Sequence, residues 1–405
     1  MAANNSGGEK SLRYGKTDRF VTGLKVVLRD GEEYAFGPLT KPELDAKMLL
    51  KGLEGDIYRE TYRLLEDNYD ALQAARPNVS KNSAGYALWN VWDRKTFDLT
   101  KLFVGSQGTL GLITEITYRL VRPETHAKLV VIFLKDLEKL PDIVNAVLAH
   151  DPESFESYDD YTLKFAMRYF RDIMAALGTK SMFSLGWQFL PEVGMVLTGG
   201  FPKLVMLAEF TGASIEEVDK KIAGAVADLE PFGLPVRVTK TEEEAHKYWV
   251  IRRESFSLLR KHFKKAHTAP FIDDFCVRPE YLPKFLPELY AILAEYKLTL
   301  TIVGHVGDGN FHIIPIMDFH WPDMARVVRD LSQGVYDLVF RYGGTTTGEH
   351  NDGLIRSSFL RQMYGNDVYA LFEETKRIFD PNGIFNPGKK VGTDIDEALT
   401  HLKRS

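Results

Sequence analysis

The segment TLTIVGHVGDGNFHIIPIM, residues 299–317, is the part of the sequence on which our prediction of the fold depends. Apolar and β-branched residues precede and follow the turn-forming residues GDGN at 307–310. Glycine and asparagine tolerate the positive φ angles of tight turns, so the pattern predicts a β-hairpin. This hairpin would bring His305 and His312 close together on adjoining strands.

Two neighbouring imidazoles form half of a site for Zn²⁺ or another borderline metal ion. A third ligand is available in GGTTTGEH, residues 343–350, where Glu349 would complete a set of two histidines and one carboxylate. His350 would then lie beside the metal and be able to accept a proton. Paired histidines are also common as core or surface residues, so the spacing alone leaves a structural role open.

Arg252, in YWVIRRE at residues 248–254, is a candidate for binding a substrate carboxylate, because a guanidinium can hold a carboxylate through two hydrogen bonds. It follows an apolar stripe, which predicts that its side chain points inward. Arg253 is a second candidate. The basic residues that follow are expected to form a solvated helix face; they are Arg260, Lys261, Lys264 and Lys265.

Two glycine-rich segments are candidates for contact with a pyrophosphate or a flavin, because glycine lets backbone N–H groups approach a ligand closely. They are NNSGG at 4–8, which leads into LRYG at 12–15, and GSQGTLG at 105–111. Neither matches the GxGxxG sequence that opens a helix or the GxxxxGK[ST] loop. Taken singly, each segment is more typical of a simple turn.

The remaining pattern predicts an α+β protein. In the second half of the chain, strands alternate with helices and carry polar residues at alternate positions, which indicates an antiparallel sheet with helices on one face. In the first third, residues 41–76 have helical spacing. The alternation of Ile113, Ile116, Tyr118 and Leu120 predicts a strand with one buried face.

Composition narrows the class of protein. The 405 residues, 44% of them hydrophobic, suggest about two or three domains, and the net charge of −5 argues against a dedicated nucleic-acid binder. A single cysteine, Cys276, excludes intrachain disulfides and cysteine-ligated iron–sulfur clusters. The first residues lack the apolar core of a signal peptide, and glycine and proline interrupt the most apolar stretch, 189–210. We therefore expect a cytoplasmic chain without a membrane span.

Five segments, taken together and in this order, resemble the FAD-linked oxidases of the vanillyl-alcohol-oxidase type, also called PCMH-type flavoproteins. They are NNSGGEKSLRYGKT (4–17), DLTKLFVGSQGTLGLITE (98–115), GHVGDGNFH (304–312), GEHNDGLIRSSFL (348–360) and FDPNGIFNPGKK (379–390). The resemblance is greatest to glycolate oxidase flavin subunits, D-lactate dehydrogenases and D-2-hydroxyglutarate dehydrogenases.

The resemblance implies three parts: half of a PCMH-type FAD-binding domain over 1–125, a cap domain with a ferredoxin-like antiparallel sheet over 126–365, and a tail over 366–405 that returns to the flavin domain. It also implies a set of FAD-contacting residues. These are Asn5, Ser6, Gly7, Gly8, Gly15, Gly105, Gly108, Thr109, Gly111, Ile113 and Asn386.

The resemblance further implies oxidation of a D-2-hydroxy acid such as lactate, glycolate or 2-hydroxyglutarate. His305, His312 and Glu349 would hold Zn²⁺ or Mn²⁺, His350 would act as the base, and Arg252 would bind the substrate carboxylate. Hydride would pass to flavin N5, and electrons would leave to a separate acceptor, which would be an iron–sulfur protein, a flavoprotein or a quinone.

Three departures from the family qualify this expectation. Nothing in the chain matches the first half of the flavin domain. We therefore expect a split enzyme, a truncation or a fragment. A separate chain would supply the missing half and would also be able to bring the protein to a membrane surface. Asn351 replaces the usual glycine and is expected to keep the left-handed turn. Ile314 replaces a polar residue of some relatives. A partner-dependent or non-catalytic subunit is the alternative, and a metal-dependent hydrolase is a third hypothesis.

Overall fold

The computed structural model describes residues 1–176, 200–262, 267–318 and 320–402. The chain divides into two compact units. The described residues of the first are Met1–Gly8, Gly15–Arg122 and Val339–Leu402, and those of the second lie within Glu9–Tyr14 and Pro123–Leu338. Residues 189–199 of the apolar stretch, and Lys264 and Lys265 of the basic helix face, lie outside the described residues.

The described strands, in chain order, are β1 (Val21–Val27), β2 (Glu33–Phe36), β3 (Pro38–Thr40), β4 (Thr96–Asp98), β5 (Leu112–Tyr118), β6 (His126–Leu134), β7 (Ser154–Asp159), β8 (Leu204–Gly212), β9 (Val236–Val238), β10 (His267–Thr268), β11 (Phe275–Cys276), β12 (Thr299–His305) and β13 (Asn310–Met317). The described helices are α1 (Ser11–Tyr14), α2 (Lys41–Met48), α3 (Leu53–Asp67), α4 (Tyr69–Ala75), α5 (Thr100–Phe103), α6 (Leu140–Leu148), α7 (Asp160–Arg168), α8 (Phe170–Ala176), α9 (Ile215–Leu229), α10 (Glu242–His262), α11 (Leu282–Ala294), α12 (Met324–Arg341), α13 (Leu360–Phe379) and α14 (Ile395–Thr400).

The first unit contains an antiparallel sheet of order β2–β1–β5 and a second ladder, β3–β4. The predicted helix over residues 41–76 is three helices, α2 to α4. Gly52, with a φ of 86°, separates α2 from α3. Asn68, whose backbone angles are not helical, separates α3 from α4. Buried aromatic rings fill the core, with Phe36 and Phe103 centred 4.8 Å apart.

Strand β5 differs from its prediction. Ile113 and Ile116 are half-buried, but Tyr118 is 38% exposed and Leu120 is 87% exposed, so the predicted buried face is wrong beyond the first half of the segment. A register shift against β1 falls at this end of the strand, between Val21 and Gly23 opposite Tyr118 and Thr117, and Leu120 lies beyond the last residue of β5. Within the described part of the chain, β5 is an edge strand of its sheet and pairs with β1 alone.

The second unit is built on an eight-stranded sheet of order β10–β13–β12–β7–β8–β6–β9, with β11 also pairing β13, and every pairing is antiparallel. This confirms the predicted antiparallel α+β fold. Ser214 is the N-cap of helix α9, and its hydroxyl accepts a hydrogen bond from the Glu217 amide at 3.2 Å.

Strand β7 lies at the centre of this sheet. All six residues of β7 are buried, including polar ones, so the strand has no open polar face there. Polar side chains are tolerated in such a strand when they have internal partners, as Glu156 has in His305 and Arg252. The polar residues of β7 therefore belong to a buried polar cluster.

The predicted hairpin is present. Strands β12 and β13 pair over seven residues and are joined by the 3₁₀ turn Val306–Asp308 and by Gly309 at a φ of 67°. A β-carbon on Gly309 would lie 1.8 Å from the carbonyl oxygen of Val277, so only glycine fits this position.

Residues 339–365 belong to the first unit, although the sequence placed them in the cap domain. Hydrogen bonds to the backbone explain the correction: the Ser83 amide donates to the Thr347 carbonyl at 2.9 Å, and Lys16 Nζ donates to the Gly348 carbonyl at 3.1 Å.

Of the helices in the described part of the chain, none has the length and apolar character that a membrane crossing requires.

Candidate active site

The hairpin brings the two predicted histidines together. His305 lies opposite Asn310 and His312 lies opposite Val303, so the two histidines are diagonal neighbours across the strand pair. Their ring centres are 5.3 Å apart, and the rings are nearly perpendicular. Both side chains are buried. The sequence prediction of a juxtaposed pair is confirmed.

Each histidine is backed by a carboxylate on its Nδ1 atom. His305 Nδ1 is 2.6 Å from Glu156 Oε1, and His312 Nδ1 is 3.0 Å from Asp273 Oδ1. Asp274 Oδ1 is 3.9 Å from the same atom of His312. When a neutral imidazole donates from Nδ1 to a carboxylate, Nε2 is the nitrogen without a proton, which is the form that binds metals.

Sequence reasoning missed Glu156 and Asp273. Glu156 sits within the buried strand β7, and Asp273 lies just before β11. The available signal was two acidic residues among aromatic or apolar ones in each of two short segments, SFESYD at 154–159 and FIDDF at 271–275. Buried acids are rarely unpaired, so these positions indicated a buried partner without naming it.

Arg252 points inward as predicted, and its side chain is only 10% exposed. Its guanidinium forms an ion pair with Glu156 and a second contact, 3.2 Å long, with Glu9 Oε1. Arg253 also binds Glu9, through two hydrogen bonds of 2.9 and 2.5 Å. Both candidate arginines are therefore held by carboxylates of the protein itself. Lys261 is 63% exposed and pairs with Asp172, as a solvated face predicts.

Glu349 and His350 lie on a loop of the first unit. Glu349 is buried and its Oε2 is 3.1 Å from Lys81 Nζ, whereas His350 is exposed. Their ligand atoms lie within 4.8 Å of each other. The assignment of Glu349 to one metal with the two histidines, and of His350 as the base, stays a prediction.

The two glycine-rich segments and the loop after His350 meet within the first unit. Gly105 N donates to the Ala2 carbonyl at 2.9 Å. Asn351 Nδ2 donates to the carbonyls of Asn4 at 3.0 Å and Gly105 at 2.9 Å. Asn351 has a φ of 71°, so the predicted left-handed turn is kept.

Asn386 joins the same group of loops. Its Nδ2 donates to the Gln107 carbonyl at 2.7 Å, and its φ is 41°. Asn5 also has a positive φ, and its Oδ1 accepts from the Asp18 amide at 2.9 Å. These contacts bring the three predicted FAD-contacting segments together, although FAD contact itself stays a prediction.

Some of the predicted FAD-contacting residues have roles in packing. The buried hydroxyl of Thr109 is 2.7 Å from both the Ser106 carbonyl and the Tyr86 hydroxyl. A β-carbon on Gly111 would lie 2.7 Å from Val26, so glycine lets this segment pack closely on β1. Gly108 has a φ of 70°, and a β-carbon added there would have no neighbour within 4 Å among the described residues. The positions of the others are compatible with the prediction and do not test it; they are Ser6, Gly7, Gly8, Gly15 and Ile113.

A buried ion pair fixes the chain beside Asn386. Lys390 Nζ is 2.8 Å from Asp352 Oδ2, and both side chains are fully buried. The ammonium group also donates to the carbonyls of Ser83 at 3.0 Å and Gly85 at 2.8 Å. Burial lowers the pKa of Lys390. No pattern in the sequence predicts this pair, because its members are 38 positions apart.

The fold of the chain is that of the PCMH-type flavoproteins. It is similar to p-cresol methylhydroxylase, with a TM-score of 0.59 and 16% identity, covering 97% of this chain and 68% of that one. It is also similar to alkyldihydroxyacetonephosphate synthase, with a TM-score of 0.56 and 11% identity, covering 96% of this chain and 56% of that one. At these identities the likeness concerns the fold alone.

Residues 123–390 match the family model of FAD linked oxidases, C-terminal domain. Because the match takes in well over half of the sequence, the chain belongs to this family of oxidoreductases.

Relatives with assigned names agree with this family. The chain is 29% identical to a D-2-hydroxyglutarate dehydrogenase of Pseudomonas putida, over 96% of this chain and 38% of that protein. It is 26% identical to the glycolate oxidase subunit GlcD of Bacillus subtilis, over 96% of this chain and 67% of that protein. A probable mitochondrial D-lactate dehydrogenase of Danio rerio is also 26% identical, over 96% of this chain and 64% of that protein.

Proposed function

We propose that the chain is the catalytic part of an FAD-dependent dehydrogenase of D-2-hydroxy acids. The observation that carries the proposal is the buried histidine pair, each ring backed by a carboxylate, in a chain whose relatives are named for hydroxy-acid oxidation. The substrate would be a small acid such as 2-hydroxyglutarate, lactate or glycolate.

His305, His312 and Glu349 would hold a divalent metal. Two imidazole nitrogens and one carboxylate form a donor set suited to Zn²⁺ or Mn²⁺. The carboxylates on the two Nδ1 atoms fit this role, because metal-binding histidines usually donate their second N–H to such a partner. When bound, the metal would act as a Lewis acid that lowers the pKa of the substrate hydroxyl.

Residues of the protein would supply binding and proton transfer. His350 would take the hydroxyl proton, as a general base with an exposed imidazole. Arg252 would hold the substrate carboxylate. To bind the substrate carboxylate, Arg252 must release one of the two protein carboxylates that it contacts, which are those of Glu9 and Glu156. Glu9 is the better candidate for release, since its side chain is 24% exposed and that of Glu156 is 1% exposed.

FAD would bind at the loops of the first unit, formed by residues 4–8, residues 105–111 and Asn386. The hydrogen bonds between these loops, and their several positive φ angles, support a shaped backbone surface of the kind that approaches a pyrophosphate or a flavin ring. FAD, when bound, would accept the substrate hydride. The electrons would then leave to a separate acceptor, which would be an iron–sulfur protein, another flavoprotein or a quinone. We propose a cytoplasmic location, or one at a membrane surface through a partner.

A partner-dependent subunit is the second candidate function. The chain spans 38% of the length of the Pseudomonas putida relative, so that protein has much additional chain. Exposed apolar residues on and after β5 support contact with a further polypeptide segment: Leu112 is 57% exposed, Leu120 87% and Val121 50%. In this case, FAD would remain with the purified chain through gel filtration only when a chain carrying the missing half-domain is added.

The variant His350→Ala tests the assignment of the base. Turnover of the FAD-loaded, metal-replete protein with its best D-2-hydroxy acid and an artificial dye acceptor should fall by about 100-fold or more. Metal content should stay at the wild-type level, because the base is not a ligand. Equal losses of turnover and of metal content would show that His350 is a ligand and would overturn its assignment as the base.

A further inference from the structure

We infer that Glu156 is a positioning residue that holds the metal ligand and the substrate-binding arginine in one fixed arrangement. The inference rests on the proposed function, which gives His305 and Arg252 their roles. The carboxylate of Glu156 binds both of them from a side chain that is only 1% exposed.

The two oxygens of Glu156 have different partners. Oε1 is 2.6 Å from His305 Nδ1, and Oε2 forms the ion pair with Arg252. A carboxylate held at both oxygens cannot rotate without breaking one contact. The orientation of the imidazole is therefore coupled to the position of the guanidinium, within a single buried cluster of the second unit.

This arrangement has a consequence for metal binding. A carboxylate on Nδ1 favours the tautomer with the proton on that atom, and it makes Nε2 a stronger ligand. Burial strengthens the interaction, because little water screens it. Loss of the carboxylate should therefore weaken metal binding even though Glu156 itself touches no metal.

The same arrangement has a consequence for substrate binding. Arg252 keeps one internal carboxylate, Glu156, after the more exposed Glu9 has been exchanged for substrate. The guanidinium would then be anchored on one side and present its other side to the substrate carboxylate. Without Glu156, the arginine would lose this anchor, and KM should rise.

A general structural role is the competing explanation, and the chain offers a matched control for it. Glu153 is also 1% exposed and lies three residues earlier. Its carboxylate is 2.7 Å from Lys10 Nζ and 2.9 Å from the Tyr14 hydroxyl, so its partners differ from those of Glu156. A role limited to neutralising buried charge predicts similar effects for Glu153→Gln and Glu156→Gln.

The test compares Zn²⁺ dissociation constants, measured by competition with a chromophoric chelator. Glu156→Gln should weaken Zn²⁺ binding by about 10- to 100-fold, because the amide has a single acceptor oxygen and brings an NH₂ group toward Arg252 or His305. Glu153→Gln should bind Zn²⁺ as the wild type does. His305→Ala should abolish the site, which identifies the bound metal with the histidine pair.

A second measurement does not depend on metal. In metal-free, ¹⁵N-histidine-labelled protein, the His305 signal is assigned by its loss in His305→Ala. It should report a proton on Nδ1 in the wild type and in Glu153→Gln, and a mixture of tautomers in Glu156→Gln.

The outcomes separate the inference from the proposed function. Wild-type Zn²⁺ affinity and an unchanged tautomer in Glu156→Gln would overturn the inference while leaving the metal site in place. Equal weakening by Glu153→Gln and Glu156→Gln would also overturn it, in favour of a general structural role. If the wild-type protein binds neither Zn²⁺ nor Mn²⁺, the proposed metal site is wrong. The tautomer measurement would then test, without any metal, whether Glu156 positions His305.

Discussion

Asp159, three residues after Glu156 on strand β7, is a buried acid whose two oxygens are held by backbone amides. Its Oδ1 accepts a hydrogen bond from the Thr162 amide at 2.9 Å, where it caps helix α7, and its Oδ2 accepts from the Ile302 amide at 3.1 Å. Burial raises its pKa to about 6, although these hydrogen bonds favour the charged form. The folded protein therefore holds this proton more tightly than the unfolded chain.

The stability of the protein should depend on pH through this residue. The contribution of Asp159 is fully present below the unfolded pKa, near 4, and is lost as pH rises through about 6. The shift corresponds to about 3 kcal/mol of unfolding free energy. Asp159→Asn should remove this dependence while keeping a side chain that can cap α7. The measurement is urea unfolding from pH 4 to pH 7.

The variant Asp323→Asn is the control for that prediction, because Asp323 pairs with Arg326 and its side chain is 55% exposed. Its unfolding free energy should follow the wild-type pH dependence. If the unfolding free energies of the wild type and Asp159→Asn change in parallel between pH 4 and pH 7, the raised pKa of Asp159 is wrong.

At the residue scale, the candidate site residues were easier to predict from the sequence than the carboxylates that contact them. His305 and His312 were predictable because turn residues between two apolar strands leave few alternatives. Glu156 and Asp273 were not, since their partners lie 149 and 39 positions away and only the folded sheet brings them together. Asn351 was predicted to keep a left-handed conformation, and its side-chain hydrogen bonds explain why this residue can replace glycine there.

At the scale of elements, a buried ion pair helps to hold the C-terminal tail. Lys390 and Asp352 form a fully buried ion pair, and the lysine also binds two carbonyl groups. Buried charges of this kind stabilise little compared with an apolar pair, but the removal of one partner is costly. The tail that carries Asn386 therefore depends on Lys390 for its position.

The variant Lys390→Met should lower the unfolding free energy by about 3–5 kcal/mol, because it leaves Asp352 buried without its cation. Lys389→Met is the matched control, and its effect should stay within about 0.5 kcal/mol, since the Lys389 side chain is partly exposed. Chemical denaturation of both variants measures the difference. A Lys390→Met protein as stable as the control would contradict the account of the tail.

The elements themselves were largely predictable, and the errors have local causes. The hairpin follows from turn residues between two apolar strands, and the antiparallel sheet of the second unit follows from strands that alternate with helices. The exposed end of β5 and the buried polar face of β7 did not follow, because a register shift and burial on both faces depend on neighbouring strands that periodicity cannot reveal.

At the scale of the whole molecule, the family and the fold are established, while the reaction is a proposal. The family match covers residues 123–390, and the relatives of known name extend well beyond the region that this chain spans. The sequence could not place residues 339–365 in their compact unit, because the hydrogen bonds that hold them come from residues more than 250 positions earlier.

Anaerobic reduction of bound flavin tests the central claim most directly. FAD-loaded, metal-replete protein is mixed with the D and L enantiomers of 2-hydroxyglutarate and lactate, and with glycolate, before and after removal of the metal by a chelator. We predict that the flavin absorbance bleaches with at least one D-2-hydroxy acid or with glycolate, that no L enantiomer bleaches it, and that bleaching requires the metal. Flavin that stays oxidised with every one of these acids, or bleaches equally well without metal, would contradict the account.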